Sequence, residues 1–291
     1  MTLTELFTNI ADAIRTKKGT SDKILATDFA TEIENLPSGG GGEKMAITDA
    51  RYLFAYRGDE IVGKANNYFD FSKCTDFSNC FYYSTATKIP LINTNKGTNF
   101  RYMFSYCTTE IPLIDTSNGT DFYNMFSYYT GEKIPLIDIR KATDVGYMFS
   151  NSTAEIPSLD FSNIKSINRT FYGYGGTKIA ELDFSKVNYM ASIFQYSKKT
   201  VIELGGFKNL GKAYTTQKAG IDAYRLDLSN ETNLSHDSLM NVINKVYDLN
   251  LTYNVANGGV LYSQNIWMGS ENKAKLTAEE IAIATAKRMV C

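Results

Sequence analysis

The stretch "TNFRYMFSYCTTEIPLID" at residues 98–115 is written again, almost word for word, as "TDFYNMFSYYTGEKIPLID" at 120–138. Aligning on the Phe of this block gives Phe81, Phe104, Phe126, Phe149, Phe171 and Phe194, at successive intervals of 23, 22, 23, 22 and 23 residues. "TDARYLFAY" puts Phe54 in the same column, 27 residues ahead of Phe81. A period of roughly 20–29 residues marks stacked repeats, each too small to bury its apolar face alone. About seven copies fill residues 48–211.

Each copy has two halves. Phe100, Met103 and Phe104 stand at i, i+3 and i+4, as do Phe122, Met125 and Phe126, and Val145, Met148 and Phe149. That spacing predicts a helical turn with one apolar face. Thr98, Thr120 and Thr143 precede it, where a hydroxyl can cap free N–H groups. Cys80 falls in the Met column and reads as a core thiol. The second half runs "IPLINT", "IPLIDT", "IPLIDI", "IPSLDF" and "IAELDF". This predicts a short strand with Ile111, Ile114 and Thr116 inward and Leu113 and Asp115 outward. The expected fold class is therefore α/β: a leucine-rich-repeat-like solenoid with a parallel sheet, an N-terminal helical hairpin and a C-terminal helical cap.

The ends set the expected domain organisation. Residues 1–38 carry Leu3, Leu6, Phe7, Ile10 and Ile14 at helical spacing, then Phe29, Ile33 and Leu36, and read as a helical attachment module. A Gly-rich linker follows at 39–47, then the repeats at 48–211. Residues 212–291 read as a capping region. There Ser235 is an N-cap for a helix bearing Leu239, Ile243 and Val246, and Thr277 with Glu280 forms a capping box.

Composition narrows the partners. Thirty basic and 31 acidic residues leave a net charge of −1, with no basic stripe, so no nucleic-acid partner is expected. No apolar run approaches the roughly 18 residues that span a bilayer, so no membrane insertion is expected. The start has no signal-peptide pattern, which places synthesis in the cytoplasm. Cys74, Cys80, Cys107 and Cys291 lack metal-ligand spacing and are expected to be thiols.

The Met-Phe and "IPLID" units resemble BspA-type leucine-rich repeats of the Met-Phe subtype over residues 48–211. The head, "IADAIRTKKGTSDKILATDFATEI", resembles the small N-terminal module of tail and receptor-binding proteins from phages and prophages of Gram-positive bacteria. The resemblance implies a non-catalytic component of a virion tail, made in the host cytoplasm. Its partners would be other tail proteins, through residues 1–38, and a host cell-surface glycan or protein. A homo-oligomer is a further possible assembly, and a purely structural virion component or a bacterial protein-interaction module stands as the alternative. A shared fold does not by itself choose among them.

Catalytic patterns are thin. "GGFKNLGKA" at 205–213 has the outline of a phosphate loop, but Ala213 stands where Ser or Thr would hold magnesium. His236, the single histidine, sits beside Ser235 and Asp237 at a helix start and reads as a capping or surface residue. No enzyme activity, cofactor or metal is expected. The best candidates for partner contact face outward. They are Leu91, Leu113 and Leu136 on the strand face, and Tyr83, Tyr106 and Tyr128, two residues after the repeat Phe. Asp115 and Asp138 belong to a carboxylate column with Asn93, Asp160 and Asp183. Two readings stand for that column: calcium or sugar binding, or hydrogen bonds to the neighbouring backbone. Two also stand for the tyrosines: a packed ladder, or ligand contact.

Overall fold

The computed structural model describes residues 44–197, 201–210, 226–246, 264–287 and 289–290. The expected attachment module at 1–38, the first part of the linker and Cys291 lie outside the described residues.

The half of each copy that carries the Phe column is a run of consecutive turns. In the copy at 98–107, Met103, Ser105 and Cys107 donate to the carbonyls of Phe100, Tyr102 and Phe104, three residues back, at 3.2, 3.1 and 3.1 Å. The alternate amides point the other way along the stack. Phe100, Tyr102, Phe104 and Tyr106 donate to the carbonyls of Asp121, Tyr123, Met125 and Ser127 in the next copy, at 2.8, 3.0, 3.0 and 2.9 Å. Such alternation requires a left-handed residue every fourth position. The residue two before each repeat Phe has it: Tyr52, Asn79, Tyr102, Asn124, Tyr147, Arg169 and Ser192, with φ between 53° and 58°. So has the residue two after: Tyr56, Tyr83, Tyr106, Tyr128, Asn151, Gly173 and Tyr196, with φ between 53° and 62°.

The predicted helical turn is thus corrected. Its apolar residues are buried as expected, with Phe100, Met103 and Phe104 at 0% exposure. The backbone, however, closes turns of three rather than a helix, because left-handed residues end each helical bond pattern at once. The capping role expected of Thr98 and Thr120 is also displaced. Their hydroxyls donate to the carbonyls of Thr75 and Thr98 in the preceding copies. The next residue, Asn99 or Asp121, accepts the N–H two residues on, at 3.1 Å in both cases.

The expected parallel sheet is not formed. Strands are two to four residues long and fall into separate small sheets. Parallel β1 (Met45–Ala46) and β2 (Phe69–Asp70) pair at one end. β3 (Lys178–Ile179) pairs with β5 (Glu203–Leu204), and β4 (Leu182–Asp183) with β6 (Phe207–Lys208). β7 (Leu226–Asp227), β8 (Gln264–Trp267) and β9 (Met289–Val290) form the only three-stranded sheet among the described residues. The "IPLI" segments between them are extended, but the segments at 111–116 and 134–139 share no backbone hydrogen bond. Proline explains the difference. Pro90, Pro112, Pro135 and Pro157 each remove a ladder donor. Pairing resumes in the copies that lack it, "IAELD" at 179–183 and "VIEL" at 201–204. A leucine-rich-repeat-like solenoid with a parallel sheet is therefore not what this chain builds. The structure is a small mixed α/β arrangement in which turn bonds, not strands, join most copies.

Stacked aromatic rings fill the core. Phe54, Phe81, Phe104, Phe126, Phe149 and Phe171 are all at 0% exposure, and Phe194 at 3%. Consecutive rings lie 5.3 to 6.0 Å apart at 2° to 17°. The helices among the described residues are short: α1 (Asp59–Val62), α2 (Ala65–Tyr68), α3 (His236–Lys245), α4 (Ser270–Lys273) and α5 (Ala278–Ala286). α3 starts where Ser235 accepts the Ser238 N–H, and α5 carries the full Thr277–Glu280 capping box.

Candidate binding groove

Along the extended segments the side chains alternate. Ile111, Ile114 and Thr116 are buried, while Leu113 is 68% exposed. Leu91 and Leu136 repeat that exposure, at 62% and 60%. Leu113 and Leu136 wall a shallow, open groove of about 530 Å³ that also reaches Asp115, Asp138, Arg140 and Asp160. Four of the sequence candidates thus meet in one place. Leu91 is not part of this groove; its carbonyl accepts the Asn66 amide at 2.7 Å.

The carboxylate column follows its structural reading. Asn93, Asp115, Asp138, Asp160 and Asp183 each accept the N–H two residues on, at 2.8 to 3.1 Å. These are Asx turns, in which a short side chain replaces a backbone acceptor. The bonds favour the charged form. Asp115 titrates below the usual carboxylate range, first because of the Ser117 N–H, and Asp160 first because of the Ser162 hydroxyl. Asp138 is lowered chiefly by Arg140, whose guanidinium lies 2.6 Å from it. Among the described residues no group of carboxylates, thiols and histidine is arranged to hold a metal ion.

Arg140 and the place of Asp160 in the groove were missed at the level of sequence. The signal for Arg140 was present. Other copies carry Asn95, Ser117, Ser162 and Ser185 two residues after the column residue, and only this one carries a long cation.

The tyrosines form a separate feature. Tyr56, Tyr83, Tyr106 and Tyr128 stack at 5.4, 4.1 and 4.3 Å with interplanar angles of 11°, 13° and 5°. Each ring covers the face of the next, which is the packed ladder. None of these residues lines the groove.

The remaining candidates separate from the groove as well. Cys74, Cys80 and Cys107 are buried free thiols. Burial pushes Cys74 and Cys107 up to about 12, and Cys80 also upward. A thiol that resists ionisation is a poor nucleophile. His236 sits at the start of α3, 2.9 Å from the Glu280 carboxylate on α5. In "GGFKNLGKA" Phe207 and Lys208 form β6, and Gly211–Ala213 fall outside the described residues. No helix among the described residues is long and apolar enough to cross a membrane.

A family model described as "Mycoplasma protein of unknown function, DUF285" matches residues 48–158 and again 143–219, together more than half of the chain. No curated protein and no solved structure matches it.

Proposed function

We propose that this chain, which belongs to the DUF285 family, is a non-catalytic binding protein of a phage or prophage tail that presents its repeat face to a host surface. The observation that carries the binding role is the row Leu91, Leu113 and Leu136, each more than half exposed. Large exposed side chains repeated in register are a solubility cost unless something covers them. The tail assignment rests on the head sequence "IADAIRTKKGTSDKILATDFATEI", whose place in this reading is attachment to other tail proteins through residues 1–38. The partner of the repeat face is a host cell-surface component.

The bacterial name of the family favours a second reading, a protein-interaction module of the bacterium itself. One experiment separates the two. Fluorescently labelled protein is mixed with whole Gram-positive cells, and wild type is compared with the Leu113→Ser/Leu136→Ser variant. The tail reading expects surface labelling that the variant loses while its melting temperature is unchanged. Absence of labelling on any cell panel, together with capture by a purified bacterial protein, favours the second reading. Equal labelling by both proteins overturns the role given to the leucines.

A further inference from the structure

Where successive copies pair through their turns, most alternate amides donate to the next copy. Along the groove that pattern stops. The segments 111–116 and 134–139 run side by side in extended form, yet the hydroxyl of Thr116 is what links them, to both the N–H and the carbonyl of Asp138. Among the described residues the amides of Leu113, Ile114 and Ile137 find no hydrogen-bond partner. Ile114 and Ile137 turn their side chains inward, so they meet the groove through their backbone, where open groups can bond an extended peptide lying along it.

The charges around the groove select what that peptide carries. Asp138 is neutralised by Arg140. Asp115 and Asp160 have no cation within salt-bridge distance, and both are held in the charged form. Arg140 also acts on Asp160 and Lys141 on Asp115, but from beyond salt-bridge distance. The groove thus offers two leucine side chains, open backbone groups and three carboxylates against the single guanidinium of Arg140. An acidic sugar chain would be repelled by that excess of negative charge, and a neutral one would leave it unbalanced.

We infer that the groove binds an extended polypeptide segment in which apolar and basic side chains alternate. The apolar side chains lie between Leu113 and Leu136, the basic ones reach Asp115 and Asp160, and the peptide backbone bonds to the unpaired amides. This rests on the reading of the leucine row as a contact surface and names the chemistry of its partner.

The test uses a fluorescein-labelled Lys-Val-Lys-Val-Lys-Val-Lys peptide titrated against the full chain by anisotropy. Controls are the Glu-for-Lys peptide, the same Lys-Val peptide N-methylated at alternate amides, and a neutral cell-wall oligosaccharide. Saturable binding of the Lys-Val peptide alone is expected. The double variant Asp115→Asn/Asp160→Asn should weaken it by about fivefold or more at low salt, as expected for two exposed charge contacts. Asn keeps the turn, because Asn93 already fills this column and accepts the Asn95 N–H. Equal binding of the Glu-Val or N-methylated peptide overturns the proposal, and so does binding of the oligosaccharide in its place. If cells are labelled in a leucine-dependent way but the Lys-Val peptide does not bind, the peptide inference falls and the surface role survives. If the peptide binds and no cell is labelled, the reverse holds.

Discussion

The Thr116 hydroxyl donates to the Asp138 carbonyl at 3.0 Å and accepts the Asp138 N–H at 2.8 Å. One side chain does the work that a strand ladder would otherwise do between these two copies. Thr94 stands in the same column one copy earlier, 22 residues before Thr116, but its buried hydroxyl has no hydrogen-bond partner. Replacing each with Val separates the two situations. Thr116→Val should cost about 1–3 kcal/mol, because it leaves a backbone amide and carbonyl unpaired. Thr94→Val should be neutral or stabilising, because it removes an unsatisfied hydroxyl. Urea unfolding of the two variants checks the contrast.

Phe126 lies between Phe104, at 5.9 Å, and Phe149, at 6.0 Å, with no exposed surface. Phe126→Ala removes a core ring from the middle of the stack. The expected loss is about 3–5 kcal/mol. An unchanged melting temperature would show that the column does not bear the load assigned to it.

Two left-handed tyrosines should respond differently to Asn, which tolerates this backbone region better. Tyr106 is stacked on both sides, at 4.1 and 4.3 Å. Tyr102 makes only edge contacts, at 6.4 and 6.0 Å. Stacked pairs contribute about 0.5–1.5 kcal/mol each beyond burial. Tyr106→Asn is therefore expected to destabilise despite the relief of strain. Tyr102→Asn, which copies Asn79 and Asn124 of the adjacent copies, should be close to neutral. Thermal melts of both proteins decide this.

The His236–Glu280 pair gives the C-terminal helices a pH dependence. His236 titrates above its ordinary 6.5, first because of its hydrogen bond to Glu280. Glu280 titrates below its ordinary 4.5, first because of the Thr277 N–H. A raised histidine adds stability that is fully present below 6.5 and lost as pH rises through the folded value. A lowered glutamate adds stability that is present above 4.5 and lost as pH falls. The pair therefore contributes most between those two values. His236→Gln should narrow the difference in melting temperature between about pH 5.5 and about pH 8. An identical difference in both proteins would show that the pair is not formed in solution.

Three buried thiols should be silent toward a disulfide reagent in the folded state. With Cys291→Ser in place, native protein is expected to react at none of Cys74, Cys80 and Cys107, and guanidinium-unfolded protein at all three. Rapid labelling of the native protein would contradict their place in the core.

The repeat, its Phe core and the outward leucines were legible in the sequence because side-chain periodicity survives any backbone that keeps the same residues inside. The turn conformation was not. Phe100, Met103 and Phe104 satisfy helical spacing, and the Tyr residues that fill most left-handed positions give no turn signal of the kind Gly or Asn gives. Asn79, Asn124, Asn151 and Gly173 in those same columns carried that signal. The missing sheet was also written in the chain, as the proline repeated in "IPLI". The alternating apolar pattern around it has the signature of a strand all the same, and only the lost N–H distinguishes it. Asp115 and Asp138 share a column that the sequence already shows, but the pairing of the Arg140 guanidinium with Asp138, and the place of both in one groove with Asp160, needed the structure.

Amide hydrogen exchange tests the central claim most directly, that copies are joined at their turns and left open along the groove. The account predicts strong protection at Phe100, Tyr102, Phe104 and Tyr106, whose amides donate to the next copy. It predicts fast exchange at Leu113, Ile114 and Ile137. Comparable protection of the two sets would mean that a continuous sheet runs through the "IPLI" segments, and would contradict both the fold described and the groove built on it.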